Sequence, residues 1–207
     1  MREVEGFRED SKRLQPCQFH LSILRIVTRN FHLLLHSLDL HSEDMRNQES
    51  RIGIDFGRVI MCAIQNGVQD TSFLGVSFDE AMKTPATPGA IECIEELVAH
   101  YKGRIYIVSK CGESVENKTR GWLSRNGIYA KTGLAKDQVY FCKKRKDKAP
   151  ICRKLGITHF IDDRVDVLSH MVGIVPHLYL FGEQSNASPP EWAEALADWE
   201  QVGACLL

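Results

Sequence analysis

This sequence contains four groups of side chains that could act on a phosphate, and three of them follow short apolar runs. Asp55 ends one run, Ser109 ends a second, and the acidic pair Asp162 and Asp163 ends a third; Lys148 closes a basic run between them. Carboxylate oxygens are the donors that Mg²⁺ prefers, and a lysine offsets phosphoryl negative charge. If each run is a buried strand of a parallel sheet, these groups meet at the carboxyl edge of that sheet, where ligands bind.

The tripeptide Asp55-Phe56-Gly57 also occurs in protein kinases, where its aspartate binds magnesium. A kinase needs a glycine-rich loop, a strand lysine and a His-Arg-Asp loop upstream of that tripeptide. None of these motifs lies among the 54 residues before Asp55. The sequence therefore excludes a kinase. From this stretch alone, Asp55 could be a residue of an active site or a residue that caps a turn.

The composition is that of a soluble globular protein with one domain of ordinary size. The chain has 207 residues, 43% hydrophobic and 26% charged, with a formal net charge of −1. That charge gives no general attraction to nucleic acid or to a membrane. The seven cysteines are scattered and odd in number, which favours a reducing compartment and predicts a cytoplasmic location. No membrane span, secretory signal or mitochondrial presequence is expected.

From Arg51 onward, strand and helix patterns alternate, which predicts a doubly wound, parallel α/β sheet. Strands are predicted over 51–57, 104–110, 138–143, 157–163 and 176–182, and helices over 87–102, 113–127, 148–156, 164–173 and 189–202. Residues 1–44 lack this pattern and carry one amphipathic helical stretch from about Phe19 to Leu40. We therefore expect a helical or poorly ordered extension over 1–44 and a core domain over 45–207.

The order of these groups resembles the motifs of the haloacid dehalogenase superfamily of phosphatases. In that superfamily an apolar strand ends in Asp-x-Asp, a second ends in Ser or Thr, a lysine follows, and a later strand ends in an acidic pair. Here "RIGIDFG", "RIYIVS", the lysine run and "HFIDD" follow the same order, and the resemblance covers about residues 51–182. It implies a Rossmann-like core and a hydrolase.

The resemblance also implies a role for each matching residue. Asp55 would be the nucleophile that forms an aspartyl-phosphate. Mg²⁺ would lie between Asp55, the backbone carbonyl of Gly57 and Asp162, with Asp163 as a further ligand or close neighbour. The implied substrate-binding residues are Ser109, Lys110 and Lys148.

The identity of the lysine stays open in the sequence. Lys148 is favoured because it begins a predicted helix and precedes Asp162 by a short interval. Lys143, Lys144 and Lys146 are the alternatives. The rest of this basic run is expected to be a solvated face, a docking patch for a polyanionic substrate or a nuclear address.

Gly57 is the main departure from the superfamily pattern, because phosphatases there usually carry a second aspartate that protonates the leaving group. General acid–base help contributes about 10²–10⁴ in rate. The chain is therefore expected to use good leaving groups, to borrow an acid such as Glu113 or a bound water, to be slow, or to bind phosphorylated ligands without turnover.

The intervals between the motifs are too short for an inserted cap domain, so an open active site is expected. The predicted partner is a phosphorylated small molecule or an exposed phosphate on a macromolecule. Phe73 and Phe78, in the loop after the first strand, could stack on a base or simply pack within the loop.

Overall fold

The protein is described by a computed structural model that covers residues 50–62, 64–65, 68–69, 72–184 and 188–207. The helix predicted from Phe19 to Leu40, the extension over 1–44 and its boundary at Met45 lie outside the described residues.

A six-stranded, entirely parallel sheet forms the centre of the described fold, in the order β5-β4-β1-β6-β7-β8. The strands of the whole described chain are β1 (Ile52–Ile54), β2 (Ile64–Gln65), β3 (Val68–Gln69), β4 (Ile105–Lys110), β5 (Val139–Cys142), β6 (His159–Asp162), β7 (His177–Phe181) and β8 (Glu194–Leu196). Strands β2 and β3 form a separate antiparallel pair. The chain runs outward from β1 to β5 and then returns to β6, which makes the β1–β6 border a topological switch point.

Helices cover both faces of the sheet. They are α1 (Ser72–Gly75), α2 (Phe78–Ala81), α3 (Ala90–His100), α4 (Glu113–Arg125), α5 (Ile128–Thr132), α6 (Lys148–Leu155), α7 (Val165–Leu168) and α8 (Trp199–Leu206), with 3₁₀ turns at Lys136–Gln138, Arg145–Asp147 and Ser169–Met171. One apolar cluster joins the sheet to α3, α4, α5 and α8, and the other joins it to α6 and α7. Two buried faces explain why the strands are continuous apolar runs.

Gly53, in the middle of β1, allows the close packing of this strand against β6. A Cβ atom at Gly53 would collide with the ring of Phe160. Its neighbours Ile52 and Ile54 are fully buried in the cluster on the opposite face. The strand that carries Asp55 is therefore packed from both sides.

The α/β doubly wound prediction is confirmed, and each predicted strand is present within one to three residues at its ends. Gly127, two residues after the end of α4, and Gly156, directly after α6, adopt the left-handed conformation, as expected of helix ends. The helix predicted over 164–173 is shorter, since α7 passes at once into a 3₁₀ turn.

The prediction for the last part of the chain was wrong in two respects. Residues 176–182 do not form the final strand, because β8 pairs in parallel with β7. The helix predicted over 189–202 begins only at Trp199, where Asp198 Oδ1 accepts a hydrogen bond from Gln201 N at 2.9 Å and caps the helix. The open edge of β7 takes Glu194–Leu196 as a strand, which buries Leu196.

Within the residues that the structure describes, no helix is both long enough and apolar enough to cross a membrane.

Candidate active site

Asp55 and Asp162 are placed side by side by two neighbouring strands. Asp55 directly follows β1, and its backbone N donates to Ile161 O at 2.9 Å, which extends the β1–β6 pairing by one residue. Asp162 is the last residue of β6. Both carboxylates therefore lie at the carboxyl edge, at the switch point where doubly wound folds bind ligands.

The segment after Asp55 is held by a tight turn and by two tryptophans. Phe56 O accepts hydrogen bonds from the backbone N atoms of the residues that end this turn, at 3.1 and 3.0 Å. Trp199 Nε1 donates to Val59 O at 2.9 Å, and the edge of the Phe56 ring packs on Trp122 at 5.2 Å between centroids. These buried contacts fix the backbone of Asp55 and Gly57.

Lys148 lies between the two carboxylates. Its Nζ atom is 2.8 Å from Asp55 Oδ1 and 2.7 Å from Asp162 Oδ2, and the side chain is almost completely buried. Burial alone would lower the pKa of Lys148, but the negative charges of Asp55 and Asp162 outweigh burial and raise it. Lys148 is therefore a permanent cation at the base of the site.

Asp55, Asp162 and Asp163 form an acidic group whose carboxylate oxygens lie within 4.8 Å of one another. Burial, reinforced by the charge of Asp55, raises the pKa of Asp162 well above its usual range. Asp55 Oδ1 is buried and faces Lys148 Nζ across the 2.8 Å ion pair. Clustered hard oxygen donors of this kind fit a divalent cation such as Mg²⁺.

Arg58 approaches the same acidic group from the loop after β1. Its Nη2 atom is 2.6 Å from Asp163 Oδ2, and its backbone has a φ of 62°, in the left-handed region that non-glycine residues rarely adopt. The turn holds this conformation, at a cost of the order of 1–3 kcal/mol.

Burial raises the pKa of Asp163 to about 6, and the charge of Asp55 acts in the same direction against the opposing charge of Arg58. A carboxylate with a raised pKa stabilises the fold below the unfolded-state value and loses that contribution as the pH rises through about 6. We therefore expect Asp163→Asn to raise the free energy of unfolding of the metal-free protein at pH 7.5 by about 1–3 kcal/mol, and by less at pH 5.

Urea unfolding in the presence of a chelator measures this difference. Asp166→Asn is the matched control, because it should lower the free energy of unfolding instead of raising it. The contact with Arg164 outweighs burial and lowers the pKa of the half-exposed Asp166. A loss of stability in Asp163→Asn at pH 7.5 would contradict the prediction.

A cavity of about 320 Å³ opens above the acidic group. Its lining includes Asp55, Gly57, Ser109, Lys110, Lys148 and Asp163 among the residues proposed from the sequence. Asp162 lies beneath them, with no exposed surface. The structure thus brings every residue of the predicted site to one edge of the sheet.

The alternatives from the sequence lie elsewhere. Lys143, Lys144 and Lys146 are exposed and do not line the cavity, and neither does Glu113. Phe73 lines the cavity while packing on Phe56, with ring centroids 5.7 Å apart.

Phe78 does not line the cavity. It is half-exposed and covers Gly121 on α4, where a Cβ atom would collide with its ring. Phe78 therefore packs against α4 from the start of α2 and lies outside the cavity wall.

Three arginines in the cavity wall were not singled out by the sequence analysis. Arg58 directly follows the first motif, and Arg164 directly follows the acidic pair. Their position next to these motifs could have identified them as residues of the site. Arg145 lies within the basic run, and the sequence does not indicate which side chain of that run lines the cavity.

Two solved structures with a similar fold are haloacid dehalogenase-like proteins. A haloacid dehalogenase-like family hydrolase from Xanthomonas campestris matches with a TM-score of 0.50 at 9% sequence identity, over 75% of this chain and 93% of its own. A protein proposed to be a haloacid dehalogenase-like hydrolase, from Burkholderia xenovorans, matches with a TM-score of 0.50 at 12% identity, over 75% of this chain and 96% of its own. This chain therefore has the haloacid dehalogenase-like fold. No protein-family model and no curated protein sequence matches it.

Proposed function

We propose that this chain is a magnesium-dependent phosphatase of the haloacid dehalogenase superfamily, which hydrolyses phosphomonoesters through an aspartyl-phosphate on Asp55. The observation that carries the proposal is the position of Lys148, whose Nζ lies 2.8 Å from Asp55 and 2.7 Å from Asp162 at the base of an open cavity. A nucleophilic carboxylate, a fixed cation and an acidic group for metal are the parts that phosphoryl transfer requires.

In the first step a carboxylate oxygen of Asp55 attacks phosphorus, and the bond from phosphorus to the leaving oxygen breaks. The leaving oxygen takes the bonding electron pair and, with Gly57 in place of an acid, takes its proton from water. Lys148 holds Asp55 in place and offsets the charge on the phosphoryl group. Ser109, buried beside Asp55 on the next strand, would donate a hydrogen bond from its hydroxyl to a phosphoryl oxygen, and Lys110 would add positive charge at the cavity wall. In the second step water attacks phosphorus and gives a proton to solvent. The bond from phosphorus to the Asp55 oxygen breaks, which releases phosphate and restores the Asp55 carboxylate.

Asp55, Asp162, Asp163 and the carbonyl of Gly57 are the groups that would hold Mg²⁺. The bound ion would supply charge neutralisation for the phosphoryl oxygens.

A second candidate function is the binding of phosphorylated ligands without turnover. Gly57 favours it, because this position has no carboxylate to protonate a leaving group or to activate water. The phosphatase remains the primary proposal, because every matching position other than Gly57 keeps its motif residue. Gly57 itself lines the cavity.

We propose that the site has no cap domain. Between β1 and α3 the described residues contain only the short pair β2–β3 and two four-residue helices. A site of this kind accepts a phosphorylated small molecule or an exposed phosphate on a macromolecule.

A cytoplasmic location is also part of the proposal. Five cysteines within the described residues carry free thiols, as expected in a reducing compartment: Cys93, Cys111, Cys142, Cys152 and Cys205. The exposed basic run leaves a nuclear location as its alternative.

The test is phosphate release from an activated aryl phosphate, measured with Mg²⁺ and with a chelator, for the wild type and Asp55→Asn. We expect Mg²⁺-dependent release that falls by about 10³-fold or more in Asp55→Asn, because the nucleophile is lost. Asp137→Asn is the matched control, since Asp137 is exposed and precedes β5, at the opposite edge of the sheet. Equal rates for the two variants would contradict the proposal. A folded wild type that binds Mg²⁺ and releases no phosphate would favour the second candidate.

A further inference from the structure

The mouth of the cavity carries more positive charge than one phosphate needs. Arg145 and Arg164 both line the cavity that contains Asp55 and Lys148. They come from different segments, because Arg145 begins the 3₁₀ turn before α6 and Arg164 directly follows the acidic pair. Two separate loops therefore present guanidinium groups to one opening.

These two arginines share a single carboxylate. Arg164 Nε lies 2.8 Å from Asp166 Oδ1, and Arg145 Nη1 lies 3.7 Å from Asp166 Oδ2. All three side chains are between about one third and one half exposed. The contact of Arg164 with Asp166 uses Nε, so among the described residues its two Nη groups keep the planar fork that binds phosphate oxygens.

The inner part of the site has the opposite balance. The buried Lys148 and Arg58, which is about as exposed as Arg164, are paired with Asp55, Asp162 and Asp163, so before a metal ion binds this acidic group has more carboxylates than cations. Lys148 and Arg58 each contact a carboxylate already, whereas Arg145 and Arg164 share one carboxylate and keep a surplus positive charge. A second anionic group, held beside a phosphate that lies over Asp55 and Lys148, would therefore meet Arg145 and Arg164.

The positive charge continues away from the cavity. Lys143, Lys144 and Lys146 are exposed on the loop that carries Arg145, and Lys110 is exposed at the end of β4, paired in register with Cys142. Arg145 precedes Lys148 by three residues, so their Cα atoms are at most about 11 Å apart. A second anionic group attached near the reacting phosphate falls within reach of this surface.

From these observations we infer that Arg145 and Arg164 form a second anion subsite, and that the substrate is a phosphomonoester carrying a second phosphate. This inference rests on the proposed function for the identity of the reacting group. The second phosphate is that of a small bisphosphate or of the backbone at a phosphorylated polynucleotide end. Both present the same chemistry to a guanidinium pair.

The test is calorimetric binding to Asp55→Asn in Mg²⁺ and low salt, which needs no turnover. The probes are adenosine 5′-monophosphate, adenosine 3′,5′-bisphosphate and 5′-phosphorylated tetrathymidylate. We expect at least one two-phosphate probe to bind about tenfold or more tightly than the monophosphate. Charge-assisted hydrogen bonds from the two arginines to the second phosphate account for a difference of this size. Preference for the bisphosphate would identify a small molecule, and preference for the oligonucleotide alone would identify a polynucleotide end.

In the Asp55→Asn variant, the two further substitutions Arg145→Gln and Arg164→Gln should abolish this preference. They should change the affinity for the monophosphate by less than about threefold. Arg125→Gln with Arg153→Gln is the matched control, since it removes two exposed positive charges outside the cavity wall. Asp166→Asn frees both arginines and should strengthen two-phosphate binding, a gain that misfolding cannot imitate.

Equal affinity for all three probes would overturn the inference, as would a preference that survives in the Arg145→Gln, Arg164→Gln variant. Failure of the proposed function would be a separate result, namely no phosphate release from the wild type while the arginine-dependent preference persists.

Discussion

Lys148→Met is expected to lower the free energy of unfolding of the metal-free protein by about 3–5 kcal/mol at pH 7.5, the usual cost of leaving a buried charge without its partner. Asp162 has no exposed surface and Asp55 is 7% exposed, so water compensates little for the lost cation. Methionine keeps most of the volume of the lysine stem, which separates the loss of charge from the creation of a cavity.

The loss should become smaller at lower pH. Burial already raises the pKa of Asp162, the charge of Asp55 adds to this, and Lys148 opposes it. Without Lys148, the pKa rises further and Asp162 takes up a proton more readily, which removes the repulsion between the carboxylates. Urea unfolding at pH 5 and pH 7.5 measures this dependence.

Lys143→Met is the matched control, because Lys143 belongs to the same basic run and is exposed. Its effect should stay within about 0.5 kcal/mol, as for other surface substitutions. Equal effects of the two substitutions would contradict the assignment of Lys148 as the buried cation. The comparison also decides among the lysines that the sequence left open.

The placement of the acidic residues could be predicted because its signals are local. Each strand is a short apolar run that ends in a polar residue, and parallel pairing then brings the ends of β1 and β6 together. No knowledge of distant contacts was needed for Asp55 or Asp162. The same reasoning placed Ser109, whose strand pairs with the other side of β1.

Features that depend on distant partners could not be predicted in this way. Glu194–Leu196 has no strand pattern of its own and becomes β8 because β7 offers an open edge. Arg58 gives no sign in the sequence that it adopts a left-handed backbone or reaches Asp163. Such features follow from the assembled sheet, and the cavity wall contains several of them.

The second large effect is expected from Gly57→Asp, which should raise kcat on unactivated alkyl phosphates by about 10²–10⁴. A Cβ atom at Gly57 meets no atom within 4 Å, and the residue is not among the glycines with positive φ. An aspartate therefore fits without backbone strain, and its carboxylate enters the cavity that contains Asp55. It can then protonate the leaving oxygen and later accept a proton from the attacking water.

Two controls separate proton transfer from other effects. Gly57→Asn has the same shape and cannot transfer a proton in this way, so it should give no such gain. An aryl phosphate with a good leaving group needs little protonation of its leaving oxygen. Gly57→Asp should therefore raise the rate of the first step far less for an aryl phosphate than for an alkyl phosphate. An equal gain on both substrates would argue for a binding effect and against a general acid.

The comparison of kcat between wild type and Gly57→Asp also separates the two candidate functions. A phosphatase with slow but measurable turnover should gain on alkyl phosphates and keep its dependence on Asp55, because the nucleophile is the same in both. A wild type that releases no phosphate, joined to an active Gly57→Asp, would mean that the chain binds phosphorylated ligands and lacks only the proton donor. If neither protein turns over any phosphate while both bind Mg²⁺, then Asp55 is not a nucleophile here and the phosphatase proposal is wrong.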